Sequence, residues 1–470
     1  MIELHWLDGV AILLYFLGLW FIGFIRSSQA THNENNYILA GRRLSLPGFV
    51  MTLVSTWYGG ILGVGENTFL YGIQTWVIFG LPYYLFALLF AFYLAPHIRR
   101  ANLVSIPDHF ELHYGPGAAV ISAVLLLILA SPAPYILSLG VLLRAVSGIP
   151  LTTSILLAAL TSMVYIWKGG FGAVVRTDIF QFILMFTGFI LLILFAWSAV
   201  GSPLVLWSQL PPAHRLPTGG NSFTYILVWF FIALWTFIDP GFYQRTAAAA
   251  SEKTAKKGIV IAVGFWFVFD MLTMFSGLYA RILIPDAQPL MVFPLLGKAI
   301  LPPFLFGLFL TGLIATIMST VDSLGLISAV TFGRDILWRI RKSVPKIAGQ
   351  TSVSLTRQGL AMMAFLSLIL AVSIPSVIGL WYFVGSMVIP GLILPFVVSF
   401  TQFSYQSDKA VIGIIGPVFV SAIWWLCTHW FGTPFSIIEP FYTGMVASLL
   451  IFTLFARRKN PELDEFTPRN

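Results

Sequence analysis

Hydroxyl groups and one carboxylate interrupt an apolar segment of membrane length, TGLIATIMSTVDSLGLISAVTFGRDILWRI, which covers residues 311–340. Four hydroxyl residues recur there at spacings of three or four or as neighbours: Thr316, Ser319, Thr320 and Ser323. A helix with about 3.6 residues per turn places these side chains on one face, with Asp322 on its flank. Oxygen atoms lined up on a helix inside a bilayer favour the binding of a small hard cation.

The composition defines the class of protein that must position these groups. The chain has 470 residues, of which 58% are hydrophobic and only 9% are charged, and its mean hydropathy is +0.90. Such a composition predicts a polytopic membrane protein. Apolar runs of about 20 residues without strict alternation predict transmembrane helices and exclude a β-barrel. The single cysteine, Cys427, permits no internal disulfide and no thiolate metal site by itself.

Thirteen hydrophobic spans leave no room for a soluble domain, so we expect one polytopic domain over residues 1–470. They lie at about 5–25, 45–73, 75–96, 117–145, 150–168, 174–200, 222–244, 255–283, 303–338, 355–374, 376–402, 409–430 and 435–456. The first run lacks a basic leader and a small-residue cleavage site, which indicates a retained helix and not a signal peptide. We expect the longest connections to be loops or short interfacial helices, at 27–44, 97–116, 201–221, 284–302 and 339–354.

The basic residues give the predicted topology. With the amino terminus outside, 22 of the 26 Lys and Arg residues fall on the cytoplasmic side, among them Arg245 and Arg334. Because Lys and Arg concentrate in short cytoplasmic loops, this bias predicts a cytoplasmic carboxyl terminus in a multi-pass protein of the plasma membrane. The formal charge of +8 then reflects topology and attraction to the lipid bilayer, and it requires no nucleic-acid partner.

Two spans are interrupted where a straight helix is not expected. The second contains Gly59, Gly60, Gly63 and Gly65 near its middle, with Glu66 and Asn67 just beyond them. The seventh contains Asp239 followed by Pro240 and Gly241, which removes a backbone donor and frees the turn. Interrupted helices at corresponding places in two halves favour a transporter with an inverted repeat, although small residues also serve close helix packing.

Four motifs occur in order along the chain: NYILAGRRLSLPGFVMTLVSTWYGG, GGFGAVVRTDIFQF, DPGFYQRTAAAASEKTAKKG and GLIATIMSTVDSLGLISAVTFGRDIL. Together they resemble the sodium/solute symporter family, which includes sodium-coupled transporters of sugars, proline, sialic acid, pantothenate and monocarboxylates. The resemblance implies an all-α membrane protein with a leucine-transporter-type core. In that core, spans two to eleven (about 45–402) form a five-plus-five inverted repeat. One extra helix precedes the core and two follow it at about 409–456.

The resemblance also implies a sodium site between the first and eighth core helices. The family's hydroxyl pair falls on Ser319 and Thr320, and the carbonyl one turn earlier falls on Thr316. On the broken helix, the two carbonyl-donating positions fall on Ser55 and Tyr58. A few neutral oxygens suit a transported monovalent ion, whereas a divalent ion would recruit several carboxylates.

A second cation or proton site is a further hypothesis. Some family members build one from residues that match Asp178, Asp322 and Ser323. Asp322 replaces a hydroxyl of those members, and two carboxylates in one apolar place would repel each other. One carboxyl would then hold a proton, or a cation would bridge them. In the alternative interpretation, Asp178 pairs with Arg176 or a loop base, and Asp322 caps backbone groups.

The identity of the solute is less determined by the sequence. In the family's sugar transporters the position of Asp239 contacts the sugar, and Pro240 replaces a polar residue there, which argues against a sugar. A buried aspartate favours an amino acid or another amine, but it equally serves as a helix-terminal acceptor. The candidates for a pocket wall or gate are Trp57, Tyr58, Glu66, Trp235, Asp239, Phe242 and Tyr243.

The usual signals of an enzyme are missing from the sequence. The histidines have no HExxH spacing, and no GxxxxGK[ST] loop exists to bind ATP. We therefore expect a sodium-coupled secondary active symporter that imports a small organic solute by alternating access, not an enzyme. The alternatives are a proton-coupled symporter that uses Asp178 and Asp322, a solute sensor with a separate signalling partner, and a passive channel.

Overall fold

Apolar helices of membrane length form most of the protein in its computed structural model, which describes residues 2–24, 34–341, 350–374, 376–433 and 435–458. Within these ranges, ten helices are long and apolar enough to cross a membrane, or eleven if one bent pair counts as a span. The fifth and thirteenth predicted spans coincide with shorter apolar helices, Leu151–Thr161 and Pro440–Phe455. The predicted all-helical membrane fold is confirmed.

Twelve α-helices lie among the described residues of the first half of the chain. They are α1 (Trp6–Phe24), α2 (Glu34–Leu39), α3 (Leu46–Trp57), α4 (Ile61–Tyr71), α5 (Gln74–Phe79), α6 (Leu81–Leu89), α7 (Ala95–Ala101), α8 (Ile106–Tyr114), α9 (Pro116–Leu129), α10 (Ala133–Ser147), α11 (Leu151–Val200) and α12 (Pro203–Gln209). A π-helical turn, Phe90–Leu94, joins α6 to α7. The predicted spans five and six are the two parts of α11, which meet at the non-helical residue Gly170. Gly170 has φ +54°, and a Cβ atom there would lie 2.5 Å from the carbonyl oxygen of Tyr37.

The described part of the second half contains ten α-helices and two short strands. The helices are α13 (Phe223–Ile232), α14 (Trp235–Ile238), α15 (Pro240–Ala248), α16 (Glu252–Leu283), α17 (Val292–Ile300), α18 (Leu305–Val330), α19 (Gln350–Ser373), α20 (Val377–Ser399), α21 (Ser407–Phe431) and α22 (Pro440–Phe455). A π-helical segment, Thr331–Trp338, continues α18. The strands β1 (Phe403–Tyr405) and β2 (Ala456–Arg458) pair antiparallel with Phe403 opposite Arg458. This strand pair was not predicted from the sequence. The predicted connections 27–44 and 339–354 lie partly outside the described residues.

The second predicted span is broken as the sequence indicates. Helices α3 and α4 meet at an angle of 57° across the three residues that separate Trp57 from Ile61. The break is narrower than the glycine-rich run, because Gly63 and Gly65 lie inside α4. A Cβ atom on Gly59 would lie 2.5 Å from Oγ1 of Thr320 in α18. The bare glycine backbone therefore lets the break approach α18 closely.

The seventh predicted span is divided into α13, α14 and α15. Asp239 has extended backbone angles and caps α15, since its side chain accepts a hydrogen bond from the backbone N–H of Phe242 at 2.8 Å. Pro240 occupies the first turn of α15, where a missing N–H costs no helical hydrogen bond. The sequence DPG thus ends one helix and begins the next.

Helix α18 lies at the centre of the protein. The span that contains it, Leu305–Trp338, is 94% buried in its most apolar window, the highest value among the candidate spans of the described residues. Helices α1, α3, α10, α11 and α19 pack around it. A helix buried on all sides meets no lipid, so its polar face must be matched by polar groups of the neighbouring helices.

A network of ion pairs fixes the carboxyl end of the π-helical segment to α2 and α8. Nη1 of Arg334 lies 2.9 Å from Asp108 and 2.6 Å from Asp335, and the same guanidinium also pairs with Glu34. Arg339 pairs with Asp108 and with Glu111. Burial alone raises the pKa of Asp108, but the adjacent guanidinium groups of Arg334 and Arg339 outweigh it and lower this pKa below its ordinary value.

Replacing Asp108 with asparagine is expected to destabilise the protein by about 3 kcal/mol at neutral pH, because two largely buried arginines lose their shared carboxylate. Since the folded-state pKa is lowered, this contribution exists above the ordinary aspartate pKa of about 3.9 and disappears as pH falls through the folded value. Thermal unfolding at pH 7 and at decreasing pH measures both effects. Glu111→Gln is the control, because the Glu111 side chain is 47% exposed. Equal losses in the two variants would contradict the expectation.

Candidate functional site

Hydroxyl groups of α18 reach backbone carbonyls at the end of α3. Oγ of Ser319 donates to the carbonyl oxygen of Ser55 at 2.6 Å and lies 3.3 Å from the carbonyl oxygen of Thr316. Oγ1 of Thr320 donates to the carbonyl oxygen of Thr56 at 2.7 Å and lies 3.5 Å from that of Thr316. The structure thus brings together four of the five predicted ion-binding residues, all of them fully or almost fully buried.

Tyr58, the fifth predicted residue, lies at the break itself. It follows the last residue of α3, and its carbonyl accepts a hydrogen bond from the N–H of Ile61 at 3.0 Å. Its side chain points to α16, where the hydroxyl donates to the carbonyl of Trp266 at 3.0 Å and to Asp270 at 2.9 Å. The break is therefore anchored to α16 as well as to α18.

The chemistry of this donor set suits a monovalent cation. Backbone carbonyls and hydroxyls are neutral oxygen ligands, and they lie where the backbone of α3 is no longer engaged in a continuous helix. The close approach at Gly59 leaves room for no side chain between the break and Thr320.

Asp178 of α11 lies in a second buried polar cluster. Its Oδ2 accepts a hydrogen bond from the hydroxyl of Thr52 and lies 3.5 Å from Nη2 of Arg245, with both charged side chains fully buried. The same Nη2 donates to the hydroxyls of Thr52, Thr56 and Ser323 at 3.0, 2.6 and 2.7 Å. Asp178 and Ser323 therefore meet through Arg245. Their predicted partner Asp322 is fully buried and interacts electrostatically with Tyr15 of α1.

The position of Arg245 differs from the sequence-based expectation. The topology count placed it among the basic residues of the cytoplasmic side, but its side chain is fully buried in α15. Its guanidinium lies 5.4 Å from the ring centre of Phe171. Asp178 thus pairs with a base, as one interpretation expected, and that base is a membrane-buried arginine of the broken seventh span.

A cavity of about 110 Å³ adjoins both polar clusters. Five of the residues predicted for a pocket or gate line it: Trp57, Tyr58, Trp235, Asp239 and Phe242. Thr56 and Arg245 also line it, which joins the cavity to the hydroxyl–carbonyl contacts between α18 and α3 and to the Asp178 cluster. Tyr243 and Glu66 are not among the lining residues; Tyr243 is buried in the core, and Glu66 lies on α4.

The structure assigns Asp239 a definite local role. It caps α15, as one of the two interpretations of this residue expected, and it faces the cavity as well. The other interpretation, attraction of an amine, stays a prediction.

Several cavity residues were not identified from the sequence. They come from α5, α6, α10, α15, α16 and α20: Phe79, Tyr83, Tyr135, Arg245, Asp270 and Trp381. Arg245 stood in a recognised motif. The aromatic residues carried no local signal, because a chain with 15 Trp and 42 Phe has aromatic side chains in almost every span.

The arrangement defines a class of membrane protein: helical transporters in which two broken helices and one polar helix enclose a central cavity. A Na⁺-coupled sialic acid symporter in a substrate-bound outward-open state has the same fold, with a TM-score of 0.79 at 16% sequence identity. The alignment covers 97% of this chain and all of that one. A nucleobase-cation-symport-1 family transporter gives a TM-score of 0.59 at 12% identity over 91% of this chain and 96% of its own. The predicted leucine-transporter-type fold is confirmed.

The family model of sodium:solute symporters matches residues 37–416, and the chain belongs to that family. A Drosophila melanogaster protein described as a sodium-dependent multivitamin transporter is 27% identical over 67% of this chain, and the match spans 56% of that relative's length. A sodium/proline symporter of Staphylococcus aureus is 24% identical over 72% of this chain and 70% of its own. Family membership supports Na⁺-coupled symport of a small solute as the activity.

Proposed function

We propose that this protein imports a small organic solute together with Na⁺ across the plasma membrane by alternating access, with its amino terminus outside and its carboxyl terminus in the cytoplasm. The observation that carries the proposal is the contact between Ser319 of α18 and the carbonyl of Ser55 at the break of the second span. This contact lies inside a chain of the sodium:solute symporter family.

Sodium binds in this proposal to three carbonyls and two hydroxyls. The carbonyls belong to Ser55, Tyr58 and Thr316, and the hydroxyls to Ser319 and Thr320. The hydrogen bond of 2.6 Å from Ser319 of α18 to the carbonyl of Ser55 in α3 supports this assignment. Thr320 reaches the adjacent carbonyl of Thr56 at 2.7 Å. Rotating the two hydroxyl hydrogens away from the carbonyls leaves all five oxygens as acceptors toward one ion.

Coupling to the solute follows from residues that belong to both sites. Thr56 offers its carbonyl to Thr320, receives a hydrogen bond from Arg245 on its hydroxyl, and lines the cavity. Sodium that holds the end of α3 against α18 therefore fixes one wall of the cavity. By linkage, Na⁺ raises the affinity for the solute by the same factor by which the solute raises the affinity for Na⁺.

One sodium ion per cycle is the stoichiometry that we propose. The guanidinium of Arg245 lies among Asp178, Thr52, Thr56 and Ser323, where a second cation would otherwise be drawn by the Asp178 carboxylate. A fixed positive charge at this place supplies the compensation that a second Na⁺ would give. The ion pair between Asp178 and Arg245 also argues against proton coupling through Asp178.

The test is thermal unfolding of the purified full-length protein in Na⁺ and in K⁺ at equal ionic strength, followed by uptake into proteoliposomes. Na⁺ is expected to raise the melting temperature relative to K⁺, since an ion that binds only the folded state stabilises it. Solute uptake is expected to require an inward Na⁺ gradient. Uptake driven by a proton gradient and indifferent to Na⁺ would refute the sodium site and favour Asp178 and Asp322 as proton carriers.

A further inference from the structure

Aromatic side chains from five different helices form the wall of the central cavity. The ring centres of Trp57 and Tyr83 lie 5.0 Å apart at an interplanar angle of 72°. Nε1 of Trp381 donates to the hydroxyl of Tyr135 at 3.2 Å, and Trp235 belongs to the same cavity lining. This group of rings, Trp57, Tyr83, Tyr135, Trp235 and Trp381, is called the aromatic cage below.

The charged groups of the cavity leave a surplus of acid. Asp239 and Asp270 both line it, and within the described residues neither forms an ion pair with a basic side chain. Tyr58 and Tyr84 donate hydrogen bonds to the two oxygens of Asp270. Among the described lining residues Arg245 is the single base, and its charge is paired with Asp178.

We propose that the solute is a small organic cation with a methylated tertiary or quaternary ammonium group, held by the aromatic cage with Asp239 and Asp270 as its counter-charges. Ring faces attract cations that carry methyl groups, and such cations need few hydrogen bonds. Among the described lining residues, Arg245 is the only base that could bind an anionic solute, and it is already paired with Asp178. This inference rests on the proposed symport function and names the solute class of the same site.

The first experiment compares a cation with its neutral copy. Binding of choline and of 3,3-dimethylbutan-1-ol, which has the same shape with carbon in place of nitrogen, is measured by calorimetry on the full-length protein in Na⁺ buffer. Proline and sialic acid serve as zwitterionic and anionic probes. Choline is expected to bind at least about tenfold tighter than the neutral copy. Equal binding of the two, or binding of proline or sialic acid alone, overturns the proposal.

Two variants identify the groups that recognise the cation. Asp270→Asn and Trp235→Leu are each expected to weaken choline binding about tenfold or more and to reduce its preference over the neutral copy. Trp425→Leu is the matched control, because Trp425 stacks on His429 of α21 and does not line the cavity. Each variant must keep the Na⁺-induced rise in melting temperature, which shows that it is folded. Unchanged choline binding in both folded variants overturns the proposal.

The two proposals fail in different ways. If Na⁺ stabilises the protein and no ammonium probe binds, the solute class is wrong and the sodium site stands. If Na⁺ does not stabilise the protein relative to K⁺, the proposed function itself is wrong. Choline binding that persists without Na⁺ supports the cage and refutes the coupling.

Discussion

The double variant Ser319→Ala, Thr320→Val is expected to raise the Na⁺ concentration for half-maximal stabilisation about 100-fold or more. Each hydroxyl is a ligand oxygen in the proposed sodium site, and contacts of this kind to a charged group contribute about 1.5–3 kcal/mol. Both side chains are almost fully buried and reach carbonyls of α3 at 2.6 and 2.7 Å. The variant therefore also loses two links between α3 and α18.

A matched control separates loss of the ion from general damage to α18. Thr311→Val removes a buried hydroxyl of the same helix, which donates to the carbonyl of Gly307 at 2.8 Å and does not reach α3. Its Na⁺ dependence is expected to match that of the wild type. Melting temperatures over a range of Na⁺ concentrations measure the effect for each protein. An unchanged midpoint in the double variant, or the same shift in the control, would show that α18 does not hold the ion.

Replacing Arg245 with alanine is expected to destabilise the protein by about 3–5 kcal/mol, because the carboxylate of Asp178 is then buried without its counter-charge. Removing both charges, with Asp178→Leu and Arg245→Met, is expected to restore much of this loss. Melting temperatures of the three proteins in K⁺ buffer measure the effect. If Arg245→Ala is as stable as the wild type, Arg245 does not compensate the buried carboxylate of Asp178.

The same variant tests the proposed stoichiometry. Wild-type protein is expected to give a single-site sodium saturation curve, whereas Arg245→Ala exposes Asp178 and three hydroxyls to a second cation. The melting temperature of Arg245→Ala should then rise more steeply with Na⁺ concentration than that of the wild type. Arg100→Ala is the control, because its ion pair with Glu252 is exposed by 65% and 42% and contributes about 0–1 kcal/mol. A cooperative wild-type curve would contradict one ion per cycle.

The local features of the proposed sodium site could be predicted from the sequence because they depend on short-range rules. Hydroxyls spaced by three and four residues share a helix face, and glycine or a DPG sequence interrupts a span wherever it occurs. The resemblance to a family then supplied the partner of this face, the end of α3. The structure places Ser55, Thr316, Ser319 and Thr320 together as that resemblance implies.

The cavity wall was not predictable in this way. Tyr83, Tyr135 and Trp381 come from helices far apart in the chain, and nothing near them distinguishes them from other aromatic residues. The partner of Arg245 was not predictable for a related reason. Charge statistics assign an arginine near the end of a span to the cytoplasmic side, and only the fold shows that its guanidinium points inward to Asp178.

The sequence by itself determined that this protein is a helical membrane protein with two broken spans and a polar face on its ninth span. Composition, periodicity and helix-breaking residues act locally, so they can be read without neighbours. Tertiary structure alone decided which groups neutralise the buried acids, because an ion pair depends on the distance between helices. Asp178 meets Arg245 from a helix 67 residues away in the chain, while Asp270 and Asp239 are left facing an aromatic cavity.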